Sequence, residues 1–258
     1  MNTLVFDIET VPDVQSGRRL YNAEKLSDRD TGELMFSQRR RETDGATDFL
    51  RHHLHRVVAI AVLLAGTEKT SLWSLGKPES DEADLVRRFF EGVEKYRPQL
   101  VSCNGRGFDL PVLHYRSLLH GIQAPSYWET GGEDQAFRWN NYLSRYHERH
   151  TDLMDVLSGY EFRAVAPLHE IATLLGFPGK LGMSGADVWT RYLAGEIRQI
   201  RDYCETDVLN TYLVYLRFQL LRGRLTEKSH AAECRRVADM LEADGRPHLR
   251  EFLEAWLR

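Results

Sequence analysis

Three cysteines, Cys103, Cys204 and Cys234, are all that 258 residues hold. An odd, scattered set excludes a disulfide framework and a cysteine-based zinc knuckle, and makes a reducing cytoplasm the expected setting. No apolar run reaches the length of about 18 residues that a membrane span needs. The start of the chain does not read as a signal peptide, because Asp7 and Glu9 break its apolar stretch. Positive charge is also in short supply. Against 34 Lys and Arg stand 38 Asp and Glu, giving a net charge of −4 and a pI near 6.2. That balance excludes a protein that holds nucleic acid by bulk electrostatics. It leaves room for one that meets phosphates through bound cations. Four carboxylates holding two divalent ions would cancel a charge of −4, the formal charge of the whole chain. Repeats and low-complexity tracts are absent. The remaining composition, 42% hydrophobic and 28% charged, fits one substantial soluble domain, or one domain with an appended helical piece.

What is present begins at once. Leu4-Val5-Phe6-Asp7-Ile8-Glu9-Thr10 reads as a buried strand with two carboxylates set into it. Residues i and i+2 of a strand share a face, so Asp7 and Glu9 stand side by side, roughly 7 Å apart. Two like charges on a core strand are costly unless a cation lies between them. A divalent metal would serve, and so would a strand end that simply reaches solvent. From Val11 to His55 the chain is polar and reads as a long insertion, a loop or lid facing a substrate, with a short helix over 48–55. Its histidines lack a nearby cysteine and do not make a zinc site. Val57 to Leu64 is a buried strand, Thr67-Glu68-Lys69 a hairpin turn and Thr70 to Leu75 the partner strand. Helical periodicity follows over Asp84 to Tyr96, then a short strand over Gln99 to Cys103 and a helix over Leu110 to His120. Gln123 to Arg149 is aromatic and irregular and suggests a second flap. The remainder is helical: 152–158, 167–175, 185–194 and 196–222, then two short amphipathic helices.

Two further motifs carry chemistry. Asn104-Gly105-Arg106-Gly107-Phe108-Asp109 is a glycine-containing turn between strand and helix. Asp109 in the first helical turn suits either a cation or a cap. Tyr203-Cys204-Glu205-Thr206-Asp207 lies on a helix, where i and i+4 share a face, so Tyr203 and Asp207 project together. Taken alone, that pair also fits a hydrogen-bonded core contact.

Together the three motifs resemble the DEDD superfamily of 3′–5′ exonucleases in its tyrosine-containing branch, and within it the proofreading exonuclease domain of B-family DNA polymerases. Asp7 and Glu9 match the first motif, Asn104 with Phe108 and Asp109 the second, Tyr203 with Asp207 the third. The resemblance implies an α/β, ribonuclease-H-like fold: a mixed five-stranded sheet flanked by helices, with a helix-rich C-terminal part. It implies an exonuclease domain over 1–222 and a helical extension over 223–258 packed on the same domain. With no polymerase motif following, a stand-alone enzyme is expected. Asp7, Glu9, Asp109 and Asp207 would hold two Mg²⁺ or Mn²⁺ ions, and Tyr203 would orient the attacking water. Thr10, Asn104 and Phe108 would bind the substrate. The implied partner is single-stranded nucleic acid, DNA ahead of RNA, and the product a 5′-mononucleotide. Arg106 is placed to reach a phosphate, and Asp152 and Asp155 to support the site. Competing readings are an exoribonuclease of the ribonuclease D kind, a non-catalytic nucleic-acid-binding domain of the same fold, and a hydrolase of small phosphoesters.

Overall fold

The computed structural model describes residues 2–258. Its centre is a sheet of five strands: β1 (Thr3–Pro12), β2 (His55–Ala65), β3 (Thr70–Ser74), β4 (Gln99–Ser102) and β5 (His150–Asp152), in the order β3-β2-β1-β4-β5. β1 pairs antiparallel with β2 and β2 with β3, while β4 and β5 run parallel to β1, so the sheet is mixed as expected.

β1 sits in the middle, and its period of two sorts its side chains onto two cores. Leu4, Phe6 and Ile8 pack with Phe89 and Leu113, from α3 (Glu82–Tyr96) and α4 (Asp109–His120). Val5 and Val11 face the other way, against Val208 and Leu209 of the long helix α9 (Ile197–Leu221). Asp7 and Glu9 share the parity of Val5 and Val11. They therefore point toward α9, the helix that carries Tyr203 and Asp207. Directly opposite them on β2 stand Ala61 and Ala59. Both alanines are fully buried, and their small side chains let α9 approach the acids closely. A β-bulge follows, where Glu9 pairs Ala59 but Thr10 pairs Val57. Bulges of this kind re-aim the next side chain.

The segment after β1 departs from the expected loop. It forms α1 (Val14–Tyr21) and α2 (Asp28–Glu42), each started by a side-chain cap, Asp13 on Ser16 N and Ser27 on Asp30 N. α2 buries only Thr31, Gly32 and Met35, so it has no apolar stripe for a sequence reading to find. Its Gly32 lies against the Trp189 ring of α8 (Val188–Leu193), where a Cβ would come within 2.9 Å of that ring. Over 48–55 only a short 3-10 turn forms, His52–Leu54.

The aromatic stretch before β5 is also not a flap. It holds α5 (Pro125–Trp128), and Tyr127, Phe137 and Tyr142 are buried in the core with α3. Tyr142 donates its hydroxyl to Pro98 O at 2.7 Å, and Arg149 lies 3.9 Å above the Phe137 ring. Beyond β5 come α6 (Leu153–Leu157) and α7 (Leu168–Leu174), and after α9 come α10 (Glu227–Asp244) and α11 (Pro247–Leu257). Buried Glu205 of α9 fastens this last pair. It accepts from Ser74 and from Arg246 and His248 at the α10–α11 junction. Among the described residues, no helix is long and apolar enough to cross a membrane.

Candidate active site

The acids are assembled from three directions. Asp7 and Glu9 come from β1, Asp109 from the first turn of α4 and Asp207 from α9. Each link has a local cause. Asp109 Oδ1 accepts from the Ile8 backbone N–H at 3.2 Å, which ties the start of α4 to β1 between the two strand acids. The Cys204 thiol donates to Asp7 O at 3.3 Å and lies 3.6 Å from Oδ2, which holds α9 against the strand. Ligand atoms of Asp7, Glu9 and Cys204 lie within 4.8 Å of one another.

The turn carrying Asn104 to Asp109 is held from beneath. Asp152 accepts from Asn104 N and Arg106 N at 2.8 Å each, and from Met154 N at 3.1 Å. It supports the turn, as expected. Gly105 and Gly107 are needed for close approach: a Cβ on the first would collide with Ser102 Oγ, and one on the second with Asn104 Oδ1. Asn104 itself takes a left-handed φ of 66° and is exposed. Arg106 is engaged within the protein. Its guanidinium turns back, donating to Leu143 O at 3.0 Å and to His150 Nδ1 at 3.2 Å. Burial, and then Arg106, push the His150 imidazole down to about 3, so it is neutral; with Nδ1 accepting, Nε2–H donates to Ser102 Oγ at 2.8 Å.

Electrostatically the cluster is unsatisfied. Burial raises the Asp7 carboxyl well above its usual range, and Asp109, Glu9 and Asp207 raise it further. Glu9 is raised in the same way by burial, Asp207 and Asp109. Burial, with help from Asp152, carries Asp109 to about 7 despite the backbone N–H groups it accepts from. Asp207 is brought to about 6 by burial, held down by the Tyr203 hydroxyl, Lys180 and His169. The Tyr203 phenol is itself driven far above 10, first by burial and then by Asp207 and Glu9, so it stays protonated and acts as a donor. The donor set fits hard divalent cations: four carboxylates, mutually repelling and short of positive charge, are what such an ion would bridge.

Several participants were not visible in the motifs. Lys180 offsets both Glu9 and Asp207. Its loop is clamped to α9, because Asn210 accepts from Gly179 N at 3.1 Å and donates to Gly179 O at 2.9 Å. The one available signal was Gly-Lys-Leu-Gly before α9, with Asn210 three residues after Asp207. Thr10 is engaged by His55, whose ring is neutral because burial lowers it to about 4. Its Nε2–H donates to Leu50 O at 3.1 Å, so Nδ1 accepts from the Thr10 hydroxyl at 2.9 Å. Phe108 stands against His55 with ring centroids 5.0 Å apart, which places it beside Thr10.

Residues 47–256 match the family described as a predicted 3′–5′ exonuclease related to the exonuclease domain of PolB. That range takes in the second and third motifs and leaves β1 before it. The chain is 26% identical over 145 residues to the catalytic polypeptide of DNA polymerase epsilon from Saccharomyces cerevisiae, a match covering 54% of this chain and 6% of that one. The structure of the family B DNA polymerase from the hyperthermophilic archaeon Pyrobaculum calidifontis superposes with a TM-score of 0.50 at 19% identity, over 86% of this chain and 24% of the polymerase. The chain thus spans a small part of the length of either relative and shares the exonuclease-like α/β fold. With the family match running over most of its length, this chain belongs to the predicted 3′–5′ exonucleases related to the exonuclease domain of PolB.

Proposed function

We propose that this chain is a metal-dependent 3′–5′ exonuclease that removes 5′-mononucleotides from single strands, DNA in preference to RNA. The observation that carries this reading is the approach of Asp109 and Asp207 to the Asp7–Glu9 pair, whose carboxyls they raise; Glu9 and Asp109 are buried, Asp7 and Asp207 half-buried. These four residues would hold two Mg²⁺ or Mn²⁺ ions. Such ions, when bound, acidify water and neutralise charge developing on a phosphodiester. The rest is the work of the chain. The Tyr203 hydroxyl donates to Asp207 and holds it toward the charged form, and its oxygen accepts from the attacking water and so orients it. Lys180 holds Glu9 and Asp207 toward the charged form. Asp152 fixes the turn that presents Asn104, Phe108 and Asp109, and Thr10, set by His55, would contact the terminal nucleotide. Residues 1–222 form the exonuclease domain in this reading, and 223–258 an extension braced through Glu205.

Product analysis on 5′-labelled single-stranded DNA and RNA of equal sequence, with Mg²⁺ or Mn²⁺, tests the proposal. Shortening from the 3′ end, faster on DNA and abolished by Asp207→Ala, is the expected result. Faster RNA shortening would move the enzyme to the exoribonucleases. Cleavage of circular single-stranded DNA, or full activity in the Asp207→Ala variant, would refute the reading.

A further inference from the structure

The segment just before β2 contains an aromatic ring with no role in the core. Phe49 is 54% exposed. Its neighbours are not loose: Leu50 and Leu54 are buried with Met35 of α2 in a small core of their own. The Phe49 backbone is anchored on both sides. Its N–H donates to Thr47 Oγ1 at 3.1 Å, and its carbonyl accepts from Arg39 Nε at 3.0 Å. Three residues on, His52 Nε2 hydrogen-bonds Gly107 O at 2.8 Å, joining this segment to the turn that presents Asp109. The result is a fixed group of rings around Phe108. Phe49, His52 and His55 have centroids 5.4, 5.8 and 5.0 Å from that ring. Within the group His55 accepts from Thr10, and Phe108 directly precedes Asp109. Phe49 is therefore the outward end of an aromatic wall whose inner end adjoins the acids.

We infer that Phe49 is a base-stacking residue, which extends the wall begun by Phe108 so that it holds the bases of a single strand whose 3′ end reaches the acids. The inference rests on the exonuclease reading of that site. Three observations support it. The ring is exposed, so its burial does not maintain the fold. Its backbone is fixed, so a base meeting it loses little to ordering of the protein. The carboxylate next to it in the chain, Asp48, is paired with Arg40 at 2.7 Å, so its charge is offset toward an approaching polyanion. Every base has a π-face, so this contact tolerates sequence and fits an enzyme that must accept whichever nucleotide comes next. It also supplies affinity that a chain of net charge −4 cannot draw from bulk electrostatics.

The test is equilibrium binding, read by fluorescence anisotropy of a 5′-labelled oligodeoxythymidylate in EDTA, alongside cleavage in Mn²⁺. Phe49→Leu keeps apolar bulk and removes the π-face; Phe49→Tyr keeps both. The Leu variant should weaken binding about 5- to 150-fold, the range of one lost base stack, with an unchanged melting temperature. The Tyr variant should bind like the wild type. The slope of log affinity against log salt should stay constant, since no phosphate contact is lost. Replacing the 3′-terminal nucleotides by abasic residues should weaken wild-type binding more than binding by the Leu variant, which keeps only the Phe108 stack to lose. Equal affinity of the Leu variant and wild type on the intact strand would overturn the inference. So would an equal loss on intact and abasic strands, which would mark a structural role. A wild type that binds in this base-dependent way but does not cut with any metal would refute the exonuclease reading and uphold the stacking.

Discussion

Replacing Asp7 by Asn exchanges a carboxylate for a neutral amide of the same shape, and the effect on stability should reverse with the metal. In the metal-free protein, ligand atoms of Asp7 and Glu9 lie within 4.8 Å, with Asp109 and Asp207 adding to the repulsion. At an effective dielectric constant of about 20, one such pair repels by about 3 kcal/mol. Proton uptake by the raised carboxyls relieves part of this, leaving a net gain of about 1–2 kcal/mol for the amide near pH 7.5. For a chain of this size each kcal/mol moves Tm by about 2–4 °C. Asp7→Asn should therefore melt about 2–8 °C above the wild type in EDTA. The Cys204 contact to the Asp7 backbone oxygen is unaffected by the change. With Mn²⁺ at about 100 times its Kd, the wild type should gain about 2.7 kcal/mol by mass action. The variant should gain little. Differential scanning calorimetry in EDTA and across a Mn²⁺ titration measures both arms. A variant that melts below the wild type in EDTA, or that gains as much from Mn²⁺, would refute the picture of an uncompensated cation site.

Tyr203→Phe removes one hydroxyl and keeps the buried ring; kcat on single-stranded DNA should fall roughly 10- to 1000-fold with little change in Tm, and unchanged kcat with lowered Tm would make Tyr203 a packing residue only. The pH dependence of metal-free stability follows from Asp109 and Asp207, held at about 7 and about 6 against an ordinary value of 3.8. Because both are raised, their contribution is complete below about pH 4 and is lost as pH climbs through 6 to 7, so Tm in EDTA should fall over that window; a flat or rising profile would contradict the burial of these acids. Asp152→Ala removes the acceptor for three backbone N–H groups beneath the second motif, and should cost about 3 kcal/mol in urea unfolding. A loss under about 0.5 kcal/mol, the scale of an ordinary surface change, would show that the turn holds its shape without that support.

The features legible in the sequence were local ones. The pairing of Asp7 with Glu9 follows from the period of a strand, and that of Tyr203 with Asp207 from the turn of a helix, whatever surrounds them. The helices over α3, α4 and α9 were legible because their apolar faces repeat at helical spacing. α1 and α2 were not, since their burial is sparse and their starts rest on single capping side chains. Resemblance supplied the grouping of the acids, which spacing alone could not, because Asp7 and Asp207 meet only through the packing of α9 on β1. The rest waited on tertiary packing. Strand register set Ala59 and Ala61 opposite the acids and opened room for α9. The parallel pairing of β5 with β4 brought Asp152 under a turn 46 to 48 residues earlier. Arg106 turned inward because the 142–144 carbonyls and a neutral His150 offered it acceptors there. Lys180 reached the cluster through Asn210, and Thr10 found His55 across a β-bulge. Each of these is a pairing between distant segments. Its energy depends on burial and register, quantities that exist only once the chain has closed on itself.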